Sequence, residues 1–200
     1  MFVAKVVVAY AGIMGIALSR FRAHHPHPSF GAANVVTTIR AALTAIVCGC
    51  IGESSSTAAA AGAVSAATAA TILDGVDGWL ARRTQMTSAF GARFDMEVDA
   101  LLILALSILA WRHDKAGAWV LASGLLRYAF IAAGWILPWM QRPLTPTQRA
   151  RAICVIQIVA LLVAMLPSVQ PPASTIVAAI GVIALVYSFA VDTLWLWQHR

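Results

Sequence analysis

Residues 57–111 read TAAAAGAVSAATAATILDGVDGWLARRTQMTSAFGARFDMEVDALLILALSILAW, and the order of apolar and charged residues along this stretch decides the fold. Residues 57–73 and 100–111 carry no charge, while Asp74, Asp77, Arg82, Arg83, Arg93, Asp95, Glu97 and Asp99 lie between them. A helix that crosses a membrane needs roughly 20 mostly apolar residues. The stretch therefore reads as two membrane helices, 57–73 and 92–111, joined by a connection rich in glycine and arginine.

The same pattern continues in both directions. Apolar runs at 2–19, 34–51, 118–137, 150–166 and 173–197 are separated by polar or proline-bearing breaks, including a polar stretch at 20–29 and Pro138, Pro143, Pro146, Pro167, Pro171 and Pro172. The composition agrees: 60% of the 200 residues are hydrophobic and 11% are charged, with a mean hydropathy of +0.81. Soluble domains run at about 45–50% apolar and about 25% charged. The expected fold is an all-α polytopic membrane helix bundle with six core transmembrane helices and an extra N-terminal one. Residues 1–30 form a hydrophobic segment and basic linker, and residues 31–200 form the membrane domain. The first segment reads as a span; its apolar residues lack a polar face, and Arg20 and Arg22 follow where a signal peptide would have its cleavage site.

The net charge of +6 comes mostly from short breaks between apolar runs. Arg20, Arg22, Arg82, Arg83, Arg93, Arg142, Arg149, Arg151 and Arg200 fall on one side, against Lys5, Arg112 and Lys115 on the other. This asymmetry predicts a cytoplasmic basic side and an integral protein of a bacterial inner membrane. No aromatic-rich basic stripe points to nucleic acid. Cys48, Cys50 and Cys154 are an odd set without framework spacing and read as small core residues.

Charges within or beside membrane helices are costly and mark function by default. Five of the eight acidic residues fall between Asp74 and Asp99. Asp74 and Asp77 are three apart, and Asp95 and Asp99 four apart, so on helices each pair shares a face. A short connection would bring four carboxylates together at the membrane surface. Such a group repels itself unless cations join it, and hard oxygen ligands suit Mg²⁺ or Mn²⁺. Two ions there would serve a phosphoryl transfer. Gly75, Gly78 and Gly91 permit close approach of a ligand, and Arg82 and Arg83 offer guanidinium forks to phosphate.

Asp74, Asp77, Gly78, Ala81, Arg82, Gly91, Asp95 and Asp99 fill every fixed position of DxxDGxxAR-x8-GxxxDxxxD. The pattern resembles the signature of the CDP-alcohol phosphotransferase (CDP-alcohol phosphatidyltransferase) family, class I. Upstream, Asn34, Thr37 and Arg40 resemble the family's PNxxTxxR opening, with Ala33 in place of the proline. The resemblance implies six core membrane helices and metal ligation by Asp74, Asp77, Asp95 and Asp99, with Asp99 also the general base. It implies contacts to the CDP group from Asn34, Thr37, Gly78, Arg82 and Ser88, and commonly a homodimer. The extra N-terminal span departs from the family's pattern.

The reaction implied is attack of an alcohol hydroxyl on the lipid-side phosphorus of CDP-diacylglycerol, with CMP leaving. Arg127, Arg149 and Arg151 are candidate acceptor-binding residues for a phosphorylated polyol such as glycerol 3-phosphate or inositol phosphate. Tyr128 stands where phosphatidylglycerophosphate synthases often carry an acid. Alternatively Arg127 pairs with Asp192, and Arg149 and Arg151 only set topology. Other readings are a soluble CDP-alcohol joined to a lipid acceptor, hydrolysis of the CDP-lipid, and a non-enzymatic transporter using the acidic cluster.

Overall fold

The computed structural model describes residues 1–24, 30–53, 57–84, 88–142, 144 and 147–199, with the backbone alone for 18–24 and 57. Among the described residues are seven α-helices and no strand. They are α1 (Phe2–His24), α2 (Ala32–Cys50), α3 (Thr57–Arg83), α4 (Ala89–Arg112), α5 (Leu121–Ile136), α6 (Gln148–Met165) and α7 (Ala173–Gln198). Short 3-10 turns, Ala118–Val120 and Pro138–Gln141, flank α5.

Five stretches are long and apolar enough to cross a membrane: Ala32–Cys50, Ala58–Arg83, Ala118–Ile136, Gln148–Met165 and Ala173–Gln198. Helix α4 is long enough but carries Arg93, Asp95, Glu97 and Asp99 in its first half. In α1 the apolar portion is the shorter Phe2–Ala17. The chain is an all-α polytopic membrane protein.

The largest departure from the sequence reading is α3, expected to stop at residue 73 and found to continue to Arg83. The segment 74–83 stays helical, and Gly75 and Gly78 adopt ordinary helical backbone rather than a glycine-specific turn. Arg82 and Arg83 occupy its last turn, where cations favour the negative end of the helix dipole. The glycine-rich connection thus shrinks to a few residues after Arg83. Helix α1 also outruns its expected end, taking residues 20–24 of the polar stretch. The remainder, 25–29, lies outside the described residues, as do Pro143, Pro146 and Arg200.

The chain divides into two compact units, Met1–Ala105 and Leu106–Arg200. In the first, α2 and α3 form the most extensive helix pair. Both helices carry buried alanines, Ala45 on α2 and Ala60, Ala63, Ala67 and Ala70 on α3. Small side chains let membrane helices approach closely, where dispersion contacts replace the missing hydrophobic drive. Gly31, with φ 80, supplies the turn that leads into α2.

Helix α1 packs against α2 in the opposite direction. At Gly49 an added Cβ would lie 2.9 Å from the Phe2 ring and closer still to Val6. Beyond the end of α2, Lys5 Nζ donates to Ile51 O (2.9 Å) and Glu53 Oε1 (2.7 Å). That hydrogen bond holds the Glu53 carboxyl below its ordinary range.

In the second unit, the Ser107 and Ser123 hydroxyls meet at 2.8 Å. Lys115 Nζ donates to Leu166 O (3.1 Å) and Val169 O (2.6 Å), satisfying carbonyls just past the end of α6. Thr147 caps the start of α6 by accepting from Ala150 N at 3.2 Å. Helices α6 and α7 cross at Gly181, where a Cβ would come within 3.0 Å of Ala160 Cβ. The three cysteines are free thiols on α2 and α6.

Candidate active site

The first turns of α2 project Asn34, Thr37 and Arg40 from one side, and all three are buried. Their spacing of three residues keeps them on one helical face. Facing them are Asp74 and Asp77 from the second half of α3, and Asp95 and Asp99 from the first half of α4. Because α3 stays helical through residue 83, Asp74 and Asp77 share a face as the sequence reading required.

Arg40 is the centre of this group. Its side chain is 1% exposed, and it forms ion pairs with all four aspartates. Nη1 bonds Asp77 Oδ2 (2.7 Å) and Asp95; Nη2 bonds Asp74 Oδ1 (2.8 Å) and Asp99. Nε completes the set by donating to Ala70 O at 3.2 Å. A planar guanidinium suits this role because its five fixed donors reach several carboxylates at once. Four ionised carboxylates against one guanidinium leave three negative charges in excess, which calls for further cations.

Oxygen atoms of Asp74, Asp95 and Asp99 lie within 4.8 Å of one another, a donor set that could hold a metal ion. These are hard anionic oxygens, the ligands that Mg²⁺ and Mn²⁺ favour. Asp77 stands outside this triplet. Its carboxylate is the most buried of the four, held by Arg40 and by the Thr37 hydroxyl, 3.0 Å from Oδ2. The same hydroxyl lies 3.1 Å from Ala33 O, and with one proton it can donate to only one of them at a time.

A second convergence surrounds Gly91. A Cβ there would sit 3.0 Å from Asn34 Oδ1 and 3.3 Å from Ser88 Oγ. Ser88 Oγ accepts from Gly91 N at 3.0 Å, capping α4. Asn34 Nδ2 donates to Phe30 O at 2.6 Å. Gly91 is therefore a close-approach position, whereas Gly75 has open space around its Cα. At Gly78 the Arg82 guanidinium folds back, with Nη1 3.4 Å from where a Cβ would stand.

A model of the family described as CDP-alcohol phosphatidyltransferase matches residues 30–190. The chain belongs to this family. Comparison with curated proteins and with solved structures returned no match. Membership makes the chain a transferase acting on CDP-linked alcohols in phospholipid biosynthesis, within a metal-dependent family. Every fixed residue of the family signature falls inside the matched region, and the chemistry of the Asp74, Asp95 and Asp99 oxygens fits the metal requirement.

The candidate acceptor residues belong to the second unit. Arg149, in the first turn of α6, is ion-paired with Asp192 of α7. Asp192, which one of the two sequence alternatives set opposite Arg127, is engaged with Arg149. Arg127 is half-buried on α5 and Arg151 is exposed on α6. Arg40 closes the Asn34–Thr37–Arg40 pattern, and the pattern alone gives it no role. Its signal was a lone cation in an otherwise apolar helix, a feature that demands a partner.

Proposed function

We propose that this chain transfers the phosphatidyl group of CDP-diacylglycerol to a small alcohol, by first choice a phosphorylated polyol such as glycerol 3-phosphate, and releases CMP. The observation that carries the reading is the meeting of four signature carboxylates from α3 and α4 on one face, beside Asn34, Ser88 and Gly91. Asp74, Asp77, Asp95 and Asp99 would hold Mg²⁺ or Mn²⁺ as a two-metal set. When bound, the ions supply charge stabilisation for the phosphates in transfer.

The residues of the chain do the rest. Asn34, Thr37, Gly78, Arg82 and Ser88 orient the CDP group. Asp99 takes the proton of the acceptor hydroxyl as its oxygen bonds to the lipid-side phosphorus. The bond between that phosphorus and the CMP oxygen breaks, and CMP departs as the anion. Arg40 keeps the carboxylates in register, so the acid cluster is formed before substrate arrives. Arg127, Arg149 and Arg151 bind the acceptor phosphate, for which Arg149 must exchange Asp192. The basic breaks favour a site on the cytoplasmic face of a bacterial inner membrane, and a homodimer is the assembly proposed.

The test is CMP release by the purified protein in detergent with Mg²⁺ and CDP-diacylglycerol. The acceptors are glycerol 3-phosphate, inositol phosphate, inositol, serine and choline. Release with one phosphorylated polyol is expected. Release without an acceptor would make the chain a hydrolase, and silence with all of them would move the reading to a soluble CDP-alcohol donor or to transport.

Gly91→Val probes the donor contacts separately. Its Cβ would press on Asn34 and Ser88, so the apparent KM for the CDP-linked donor should rise about tenfold, equivalent to about 1.4 kcal/mol. An unchanged KM would remove Asn34 and Ser88 from the CDP group.

A further inference from the structure

We infer that α1, which precedes the family-matched region, is a positioning element of the metal-binding acid cluster, acting through an aromatic seam on α4. The inference rests on the transferase reading above for its functional meaning, and on packing for its substance.

Ala17 of α1 is buried in a cluster with Ala41, Phe90, Phe94 and Val98, flanked by Tyr10, Ile13, Met14 and Phe30. The seam is continuous: Phe90 and Phe94 rings lie 5.8 Å apart, and Phe30 and Phe90 6.4 Å. Each cluster member on α2 and α4 adjoins a site residue in sequence. Ala41 follows Arg40, Phe90 precedes Gly91, Phe94 precedes Asp95, and Val98 precedes Asp99. Successive residues on a helix point about 100° apart. The face of α4 that joins this cluster with Ala17 therefore sets the rotation at which Asp95 and Asp99 face Arg40.

The far end of α1 is anchored too, by the fit of Phe2 and Val6 over Gly49 and by the Lys5 bonds to Ile51 O and Glu53. Two fixed ends make α1 a brace rather than a loose anchor. Core packing transmits such a constraint because interiors are dense and deform little.

Two variants test this. Tyr10→Ala/Met14→Ala removes side chains that flank the seam, and Val7→Ala/Val8→Ala removes exposed ones from the same helix. Mn²⁺ binding by the purified protein without substrate is measured from depletion of the free-ion resonance, alongside the melting temperature. The seam variant should weaken Mn²⁺ binding about tenfold, the low end of effects seen for residues behind a metal ligand, while the melting temperature stays close to the parent's. The Mg²⁺ concentration for half-maximal CMP release should rise in parallel, with little change in kcat at saturating Mg²⁺. Val7→Ala/Val8→Ala should change neither.

A parent-like Mn²⁺ affinity in the seam variant would overturn the inference, as would equal weakening in both variants. Cross-linking gives a second check. Val6→Cys/Gly49→Cys, in a Cys48→Ala/Cys50→Ala background, should close a disulfide on mild oxidation, and failure to close would also overturn it. Mn²⁺ binding that weakens as expected in a protein releasing no CMP would support the brace while rejecting the assigned reaction.

Discussion

Arg40→Ala is expected to abolish CMP release and to destabilise the protein by about 3–5 kcal/mol, the effect of breaking a buried ion pair from one side. The guanidinium is 1% exposed and bonds four carboxylates and a backbone carbonyl. Removing it leaves those carboxylates facing one another in a partly buried site, with like charges repelling. Arg40→Lys should recover only part of the loss. An ammonium has three donors on a flexible stem and cannot bridge four acceptors in one plane. Arg40→Ala/Asp77→Asn should be more stable than Arg40→Ala alone, since it removes the most buried of the stranded charges. Melting curves in detergent and CMP release on the same preparations check each point. A fully active, parent-stable Arg40→Ala protein would contradict the central role given to this residue.

Arg40 also marks the boundary of what the sequence makes legible. Periodicity along one helix groups Asn34, Thr37 and Arg40, and likewise each pair of aspartates. It cannot say that a cation on α2 meets anions 34 to 59 residues later, because that depends on packing between elements. The helix at 74–83 was hidden for the same reason. Hydropathy ends α3 at the first charges, but Asp74 and Asp77 are satisfied by Arg40 across the helix pair. The segment can thus remain helical where an isolated reading turns it into a loop.

Glycines divide along similar lines. Gly75, Gly78 and Gly91 share one reading from the sequence, close approach of a ligand, and Gly91 stands against Asn34 and Ser88 of the chain itself. All three lie in helical backbone, and they differ in surroundings: space is open at Gly75, and the Arg82 guanidinium folds over Gly78. In the second unit, opposite charges were visible at Arg127, Arg149 and Asp192. The pairing of Asp192 with Arg149 follows from which turns of α6 and α7 pack together. Existence and type of the seven helices were legible because roughly 20-residue apolar runs admit few alternatives.

Asp99→Asn should lower kcat for CMP release by about 10³- to 10⁴-fold, while the apparent KM for CDP-diacylglycerol changes little. Two losses add in this variant. The amide cannot accept the hydroxyl proton, and positioned general bases contribute about 10²–10⁴ in rate. It also withdraws one negative charge from the Asp74, Asp95 and Asp99 oxygen set, so the metal ion would be held less tightly. The donor contacts assigned to Asn34 and Ser88 lie around Gly91 and do not involve Asp99, so substrate binding is largely preserved. Asp95→Asn separates the two effects. It removes charge from the same set without removing the assigned base, so raising Mg²⁺ should restore much of its rate. High Mg²⁺ should not restore Asp99→Asn. If it did, Asp99 would be a ligand alone, and the acceptor proton would have to leave by another group of the site.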